Sequence, residues 1–178
     1  MTAKEPFNLK FLSKTDITGS ASTFNIDNIF TTEFNTYRIV FSGMTSNVIC
    51  FGNVRLIDSS GNVKSDTKYD HAELTMKENG SFGNQKGSFG TSWQEVVGDP
   101  EVAPQGSVSH MDIFDPMNSG AFTFAKVRSN HSQGTAVLRT FASAYVYRLA
   151  EAHRGIQLFD TLSNNFVGGR ISVFGYIS

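Results

Sequence analysis

The chain lacks a second cysteine, so Cys50 can form no disulfide within it. Its setting in Val48-Ile49-Cys50-Phe51 predicts a buried thiol acting as a small apolar side chain. Long hydrophobic runs are also missing. No segment approaches the roughly 20 apolar residues that span a bilayer, and MTAKEPFNLKFLS has no signal-peptide core, so neither membrane insertion nor export by a cleaved signal is expected. Charge is scarce and balanced: 17% of residues are charged, fifteen basic against sixteen acidic, for a net charge of −1. No Lys/Arg cluster could follow a phosphate backbone, which excludes nucleic acid as an expected partner. Helical periodicity is equally thin. Residues 148–154 are the one helix candidate, and Gly155 would end it.

What the chain does have is sixteen Phe, sixteen Gly and 39% hydrophobic residues, a composition of strands and turns. Its 178 residues suit one domain, able to bury roughly 70% of its unfolded surface. A single domain over 1–178 is expected, with 1–8 as a loose N-terminal arm. Tyr37, Ile39 and Phe41 alternate with polar neighbours, the two-residue period of a half-buried strand. Residues 49–57 read as a strand, and Asp58-Ser59-Ser60-Gly61-Asn62 as the turn of a hairpin leading to Val63. Residues 69–76, 93–97, 107–114, 122–128, 156–159 and 169–177 are further strand candidates. Between two of them, Asp115-Pro116-Met117-Asn118-Ser119-Gly120 predicts a reversal, because Pro116 cannot donate to a ladder and Gly120 tolerates positive φ. The longest periodic segment, 136–147, is apolar on both faces, which predicts cover on both sides. Nine to eleven short strands match an all-β, antiparallel β-sandwich of jelly-roll type.

Asn79 to Trp93, NGSFGNQKGSFGTSW, carries Gly-Ser-Phe-Gly twice. A nucleotide-binding loop needs Gly-Lys-Ser/Thr entering a helix, whereas Lys86 precedes Gly87 and the following residues read as strand. The segment is therefore expected to be a flexible contact loop, with Phe82, Lys86, Phe89 and Trp93 as candidate contact residues. Tyr145, Tyr147 and Phe141 in the two-faced segment are candidates for a subunit interface, set against the plainer reading of core residues. Phe82, Phe89, Trp93, Tyr145 and Tyr147 would also suit a sugar-stacking platform.

Among the histidines, His71, His110, His131 and His153, the clearest pairing is His110 with Asp112, two apart and so on one strand face. No third ligand and no zinc spacing accompany them, so neither a metal nor a cofactor is expected. Gly-x-Ser-x-Gly is absent. Glu95, Asp99, Glu101 and Asp112 are acids enough for a glycosidase pair, but spacing places no two opposite each other, and solvated charges are the plainer reading. An enzyme is not expected.

The order of segments resembles small virion structural proteins of tailed bacteriophages, particularly marine ones. The resemblance rests on Phe11-Leu12-Ser13, on Phe34-Asn35-Thr36-Tyr37-Arg38-Ile39-Val40-Phe41, on His110 to Pro116, and on Gly155-Ile156-Gln157-Leu158-Phe159. The closing Gly169-Arg170-Ile171-Ser172-Val173-Phe174-Gly175 belongs to it too. It implies a jelly-roll subunit of a tail fibre or peripheral appendage, located in the virion after assembly in the host cytoplasm. The implied partners are copies of itself, as a trimer, other virion proteins and a host surface glycan. A capsid decoration or cement protein, gripping the shell through the N-terminal arm, is the alternative. A carbohydrate-binding or carbohydrate-cleaving module is the third reading.

Overall fold

The computed structural model describes residues 8–98, 106–133 and 137–177. Residues 1–7 of the expected arm, and Asp99 and Glu101 among the candidate acids, lie outside them. Twelve strands make up the described chain, and all their pairings are antiparallel. They are β1 (Asn8–Ala21), β2 (Thr23–Ile26), β3 (Thr36–Ser46), β4 (Gly52–Asp58), β5 (Tyr69–Lys77), β6 (Phe82–Gly90), β7 (Trp93–Val97), β8 (Ser107–Phe114), β9 (Thr123–Gln133), β10 (Val137–Tyr147), β11 (His153–Phe159) and β12 (Phe166–Ile177). An eight-stranded sheet runs β1-β12-β3-β8-β9-β10-β5-β6, and a four-stranded sheet runs β2-β11-β4-β7. Packed face to face, they form the expected β-sandwich.

Alternation decides which residues enter the core. Tyr37, Ile39 and Phe41 of β3 are fully buried, as are Met111 and Ile113 of β8 and Ile171 and Val173 of β12. From the smaller sheet, Val54, Leu56, Trp93, Val96, Ile156 and Leu158 meet them. Burying each of these side chains stabilises the fold by roughly 1.5–3 kcal/mol relative to exposure. Tyr69 and Tyr145 carry a polar end into this core and satisfy it on backbone. The Tyr69 hydroxyl accepts from Leu56 N–H and donates to the Lys64 carbonyl, both at 3.0 Å, and Tyr145 donates to the Gln94 carbonyl at 2.6 Å. The bonds to Leu56 and Gln94 tie the larger sheet to the smaller one.

Four expectations change. Phe82 to Gly90 is a strand, not a loop: Asn79-Gly80 closes a hairpin in which Gly80 takes φ 78°, Lys77 N–H donates to Ser81, and β6 pairs with β5. Apolar or aromatic residues alternating along one face normally announce such a strand; glycines at 83, 87 and 90 hide it. The stretch after Asp58 does not return as a hairpin strand, since Val63 makes a single bridge to Ile57 and β4 pairs instead with β11 and β7. Residues 148–152 form an irregular link with a bend at Leu149, not a helix, and His153 and Arg154 open β11, where the Arg154 carbonyl accepts from Ile29 and Phe30 N–H at 2.9 and 3.0 Å. Those bonds fix the crossing into β11, which a helix would break. Finally, β1 spans fourteen residues along β12, where only short segments were expected.

Candidate functional site

The larger sheet has twice the strands of the smaller one, and its outward face is the ground on which a site can form. Register places its residues in rows. One row crosses Phe174, Arg38, Asp112, Lys126, Ala144, Ala72 and Lys86, each directly opposite the next on successive strands. The neighbouring row crosses Ser172, Val40, His110, Arg128, Ala142, Leu74 and Asn84. Because three alanines lie between taller side chains, the surface sinks over β10 and β5. The resulting trough holds about 720 Å³ and is lined by Arg38, His110, Lys126 and Arg128 on one side and Asn84 and Gln85 on the other.

At the β8 end, Asp112 is the pivot. It is 2% exposed, and Arg38 meets it with two prongs, Nε to Oδ1 at 2.7 Å and Nη2 to Oδ2 at 2.9 Å. The Tyr176 hydroxyl lies 3.1 Å from Oδ1, Lys126 Nζ lies 3.7 Å from Oδ2, and the Arg38 guanidinium sits 5.3 Å from the Tyr176 ring centre. Burial pushes the Asp112 carboxyl up, but the hydrogen bonds and charge of Arg38, helped by Tyr176 and Lys126, outweigh it and hold the group below the ordinary carboxylate value. Burial and the Arg38 charge push the His110 imidazole down, so it is neutral at pH 7. A second depression of about 770 Å³ shares Asp112 and Lys126 and continues past Phe114, Phe34 and Tyr176.

The sequence-derived candidates separate into two groups. Phe82, Lys86 and Phe89 stand exposed on β6 at the edge of the larger sheet, with Phe82 at 71% and Phe89 at 65%. Arg148 stacks on Phe89 at 4.3 Å while its Nε pairs with Asp70 at 2.8 Å, and Asp70 also accepts the Phe89 N–H. Trp93 does not join them. It is fully buried on β7, edge-on to Tyr69 at 5.7 Å, and is a core residue. The proposed interface residues Phe141, Tyr145 and Tyr147 likewise face the space between the sheets and are at most 3% exposed, so they are core residues and not a surface for a neighbour. Their bulk takes the inner face of β10, leaving Thr140, Ala142, Ala144 and Val146 outward. No sugar platform can therefore include Trp93, Tyr145 or Tyr147.

His110 and Asp112 do share the outward face, but Arg38 occupies Asp112, and no group of three His, Cys, Asp or Glu able to hold a metal occurs among the described residues. His153 is buried, with Nδ1 at 3.1 Å from Thr123 Oγ1. The trough itself escaped the sequence reading. Its parts are ordinary residues spread over six strands, and the one local signal was the alternation of Thr140, Ala142 and Ala144, small residues where a strand face is usually large. Comparison with protein-family models and with curated proteins gives no match.

Proposed function

We propose that this chain is a non-enzymatic virion protein of a tailed bacteriophage, a jelly-roll subunit of a tail fibre or peripheral appendage that assembles as a homo-oligomer and serves host attachment. The observation that carries the reading is the apolar character of the larger sheet's outer surface. Leu74, Met76, Phe82, Val108, Phe124 and Leu138 are all exposed there, and all belong to strands of one sheet. Exposed apolar side chains of this kind, flanking the charged trough, suit contacts with other subunits. The β6 edge adds unpaired backbone groups with one charge, Lys86, and no proline to discourage pairing. The order of segments that resembles phage virion proteins supplies the setting.

Immuno-electron microscopy of the phage encoding the chain tests the location. Label on the tail or its fibres is the expected result. Label spread over the head would replace it by the decoration reading, and unlabelled virions would overturn both. Sedimentation velocity of the purified chain gives the copy number, with a trimer expected.

A further inference from the structure

Two cations, Lys126 and Arg128, line one wall of the trough, and a third, Lys86, stands beyond the opposite wall. Lys126 and Arg128 rise from β9, and Lys86 rises from β6 on the far side. All three are exposed. Between the walls lie β10 and β5, so the separation is three strand spacings, roughly 14 Å. Along β9 the two cations are two residues apart, roughly 7 Å. The floor consists of Ala72, Ala142 and Ala144, which leave it low, with Leu74 the one tall side chain along it.

The acids nearby are already engaged. Asp112 is held by Arg38 through both oxygens, and Asp70 by Arg148. Glu73 belongs to β5 but points inward, where it accepts from Thr75 and Ser143. Arg128 and Lys86 make no ion pair with any described residue, and Lys126 approaches Asp112 only at 3.7 Å with 65% of its side chain exposed. On a chain of net charge −1, this face thus holds a local positive excess. Asn84 and neutral His110 in the remaining lining offer donors and acceptors suited to hydroxyl groups.

We propose that the trough over β10 and β5 binds an acidic polysaccharide, a sugar chain bearing carboxylates or sulfates, with Lys126 and Arg128 on one wall and Lys86 beyond the other meeting its anions. Arg38 is a positioning residue: by occupying Asp112 it removes the one carboxylate that would repel the ligand. Guanidinium and ammonium donors give charge-assisted bonds to carboxylate or sulfate, and the Asn84 amide fixes hydroxyls between them. The proposal deepens the attachment reading above and rests on it only for the source of the glycan.

The test is affinity electrophoresis of the full chain through gels containing polygalacturonate, chondroitin sulfate or neutral dextran, with binding to duplex DNA measured in parallel. Retardation by either acidic polymer but not by dextran is expected. Lys126→Ala with Arg128→Ala should weaken it about tenfold, and Lys86→Ala should weaken it measurably alone. Ala144→Glu, which raises an acid from the floor, should abolish it, while unchanged thermal unfolding shows that these surface variants are folded. No retardation by the acidic polymers, or retardation untouched by the wall variants, overturns the proposal. Equal or tighter binding to DNA reassigns the trough to nucleic acid and overturns it too. Virion labelling without polysaccharide binding would remove the ligand and keep the virion reading; the reverse result would keep the ligand and remove the virion.

Discussion

Arg38 and Asp112, 74 residues apart in sequence, stand opposite each other on β3 and β8 and close a two-pronged ion pair at 2.7 and 2.9 Å. The carboxylate is nearly sealed from water, so its charge depends on that partner. Arg38→Ala would leave it with the Tyr176 hydroxyl and a distant Lys126. Removing one member of a buried pair costs about 3–5 kcal/mol, and the two remaining partners place this case at the low end, about 3 kcal/mol. Urea denaturation at pH 7 measures it; a loss below about 1 kcal/mol would show that Asp112 does not depend on Arg38.

The same pair sets an acid limit. Asp112 is held below its ordinary value of 3.8, so the folded state binds its proton less readily than the unfolded chain. Its stabilisation is present above pH 3.8 and is lost as pH falls through the lower folded value. With Asp112→Asn that contribution is absent, and the fall in stability between pH 4 and pH 2 becomes shallower. Parallel denaturation curves for both proteins across this range would contradict it.

Glu73 has the opposite sign. Burial between the sheets pushes its carboxyl above 4.5, and the hydrogen bonds from Ser143 and Thr75 offset this only in part. An acid with a raised folded value favours folding below its unfolded value, and that advantage is lost as pH rises through the folded value. Glu73→Gln keeps the shape and an acceptor without the charge. It should raise the urea midpoint at pH 7 and flatten the decline between pH 4.5 and 7; an unchanged midpoint would mean the carboxylate is better solvated than its position indicates.

Backbone crowding gives a comparison that no side-chain contact provides. A Cβ on Gly155 would lie 2.5 Å from the Ile26 carbonyl oxygen and 2.9 Å from the Asp27 Cα, both main-chain atoms that cannot rotate away. Gly155→Ala should cost about 2–3 kcal/mol as β2 is forced off β11. At Gly43, φ is +59° but nothing lies within 4 Å, so Gly43→Ala costs only the left-handed conformation, about 1 kcal/mol. Thermal unfolding of the two variants should rank them in that order.

Much of the sandwich was legible because its strands alternate. Tyr37, Ile39 and Phe41 declare their face without help, and Asp115 to Gly120 declares its turn, where Asn118 N–H does donate to the Asp115 carbonyl at 3.0 Å. The two-faced β10 could not be settled by period alone. Volume decides it: the inner face takes Phe141, Tyr145 and Tyr147, while alanines are left outside. For β6 the Asn79-Gly80 pair was the available signal, masked by glycines that suggest a loop. The trough was illegible for a different reason. Lys86 meets Ala72, Ala144 and Lys126 only through three successive registers, and register is a property of the sheet that no single segment contains.

Phe82 and Trp93, eleven residues apart and first grouped as one contact surface, now predict opposite outcomes. Trp93 is fully buried among Tyr69, Tyr145 and its sheet neighbours, so Trp93→Ala opens a cavity and should cost about 3–5 kcal/mol of monomer stability. Phe82 stands 71% exposed on the edge strand beside Met76, which it faces directly across the β5–β6 pair. Its removal should change monomer stability by no more than about 0.5 kcal/mol. An exposed aromatic on an unpaired edge is instead suited to anchor a neighbouring subunit. Sedimentation velocity should therefore show Phe82→Ala, alone or with Phe89→Ala, shifting the chain towards monomer at concentrations where the parent is assembled. If the parent and the Phe82→Ala protein sediment alike over that range, β6 lies outside the assembly contact, and the apolar residues further along the sheet must make it.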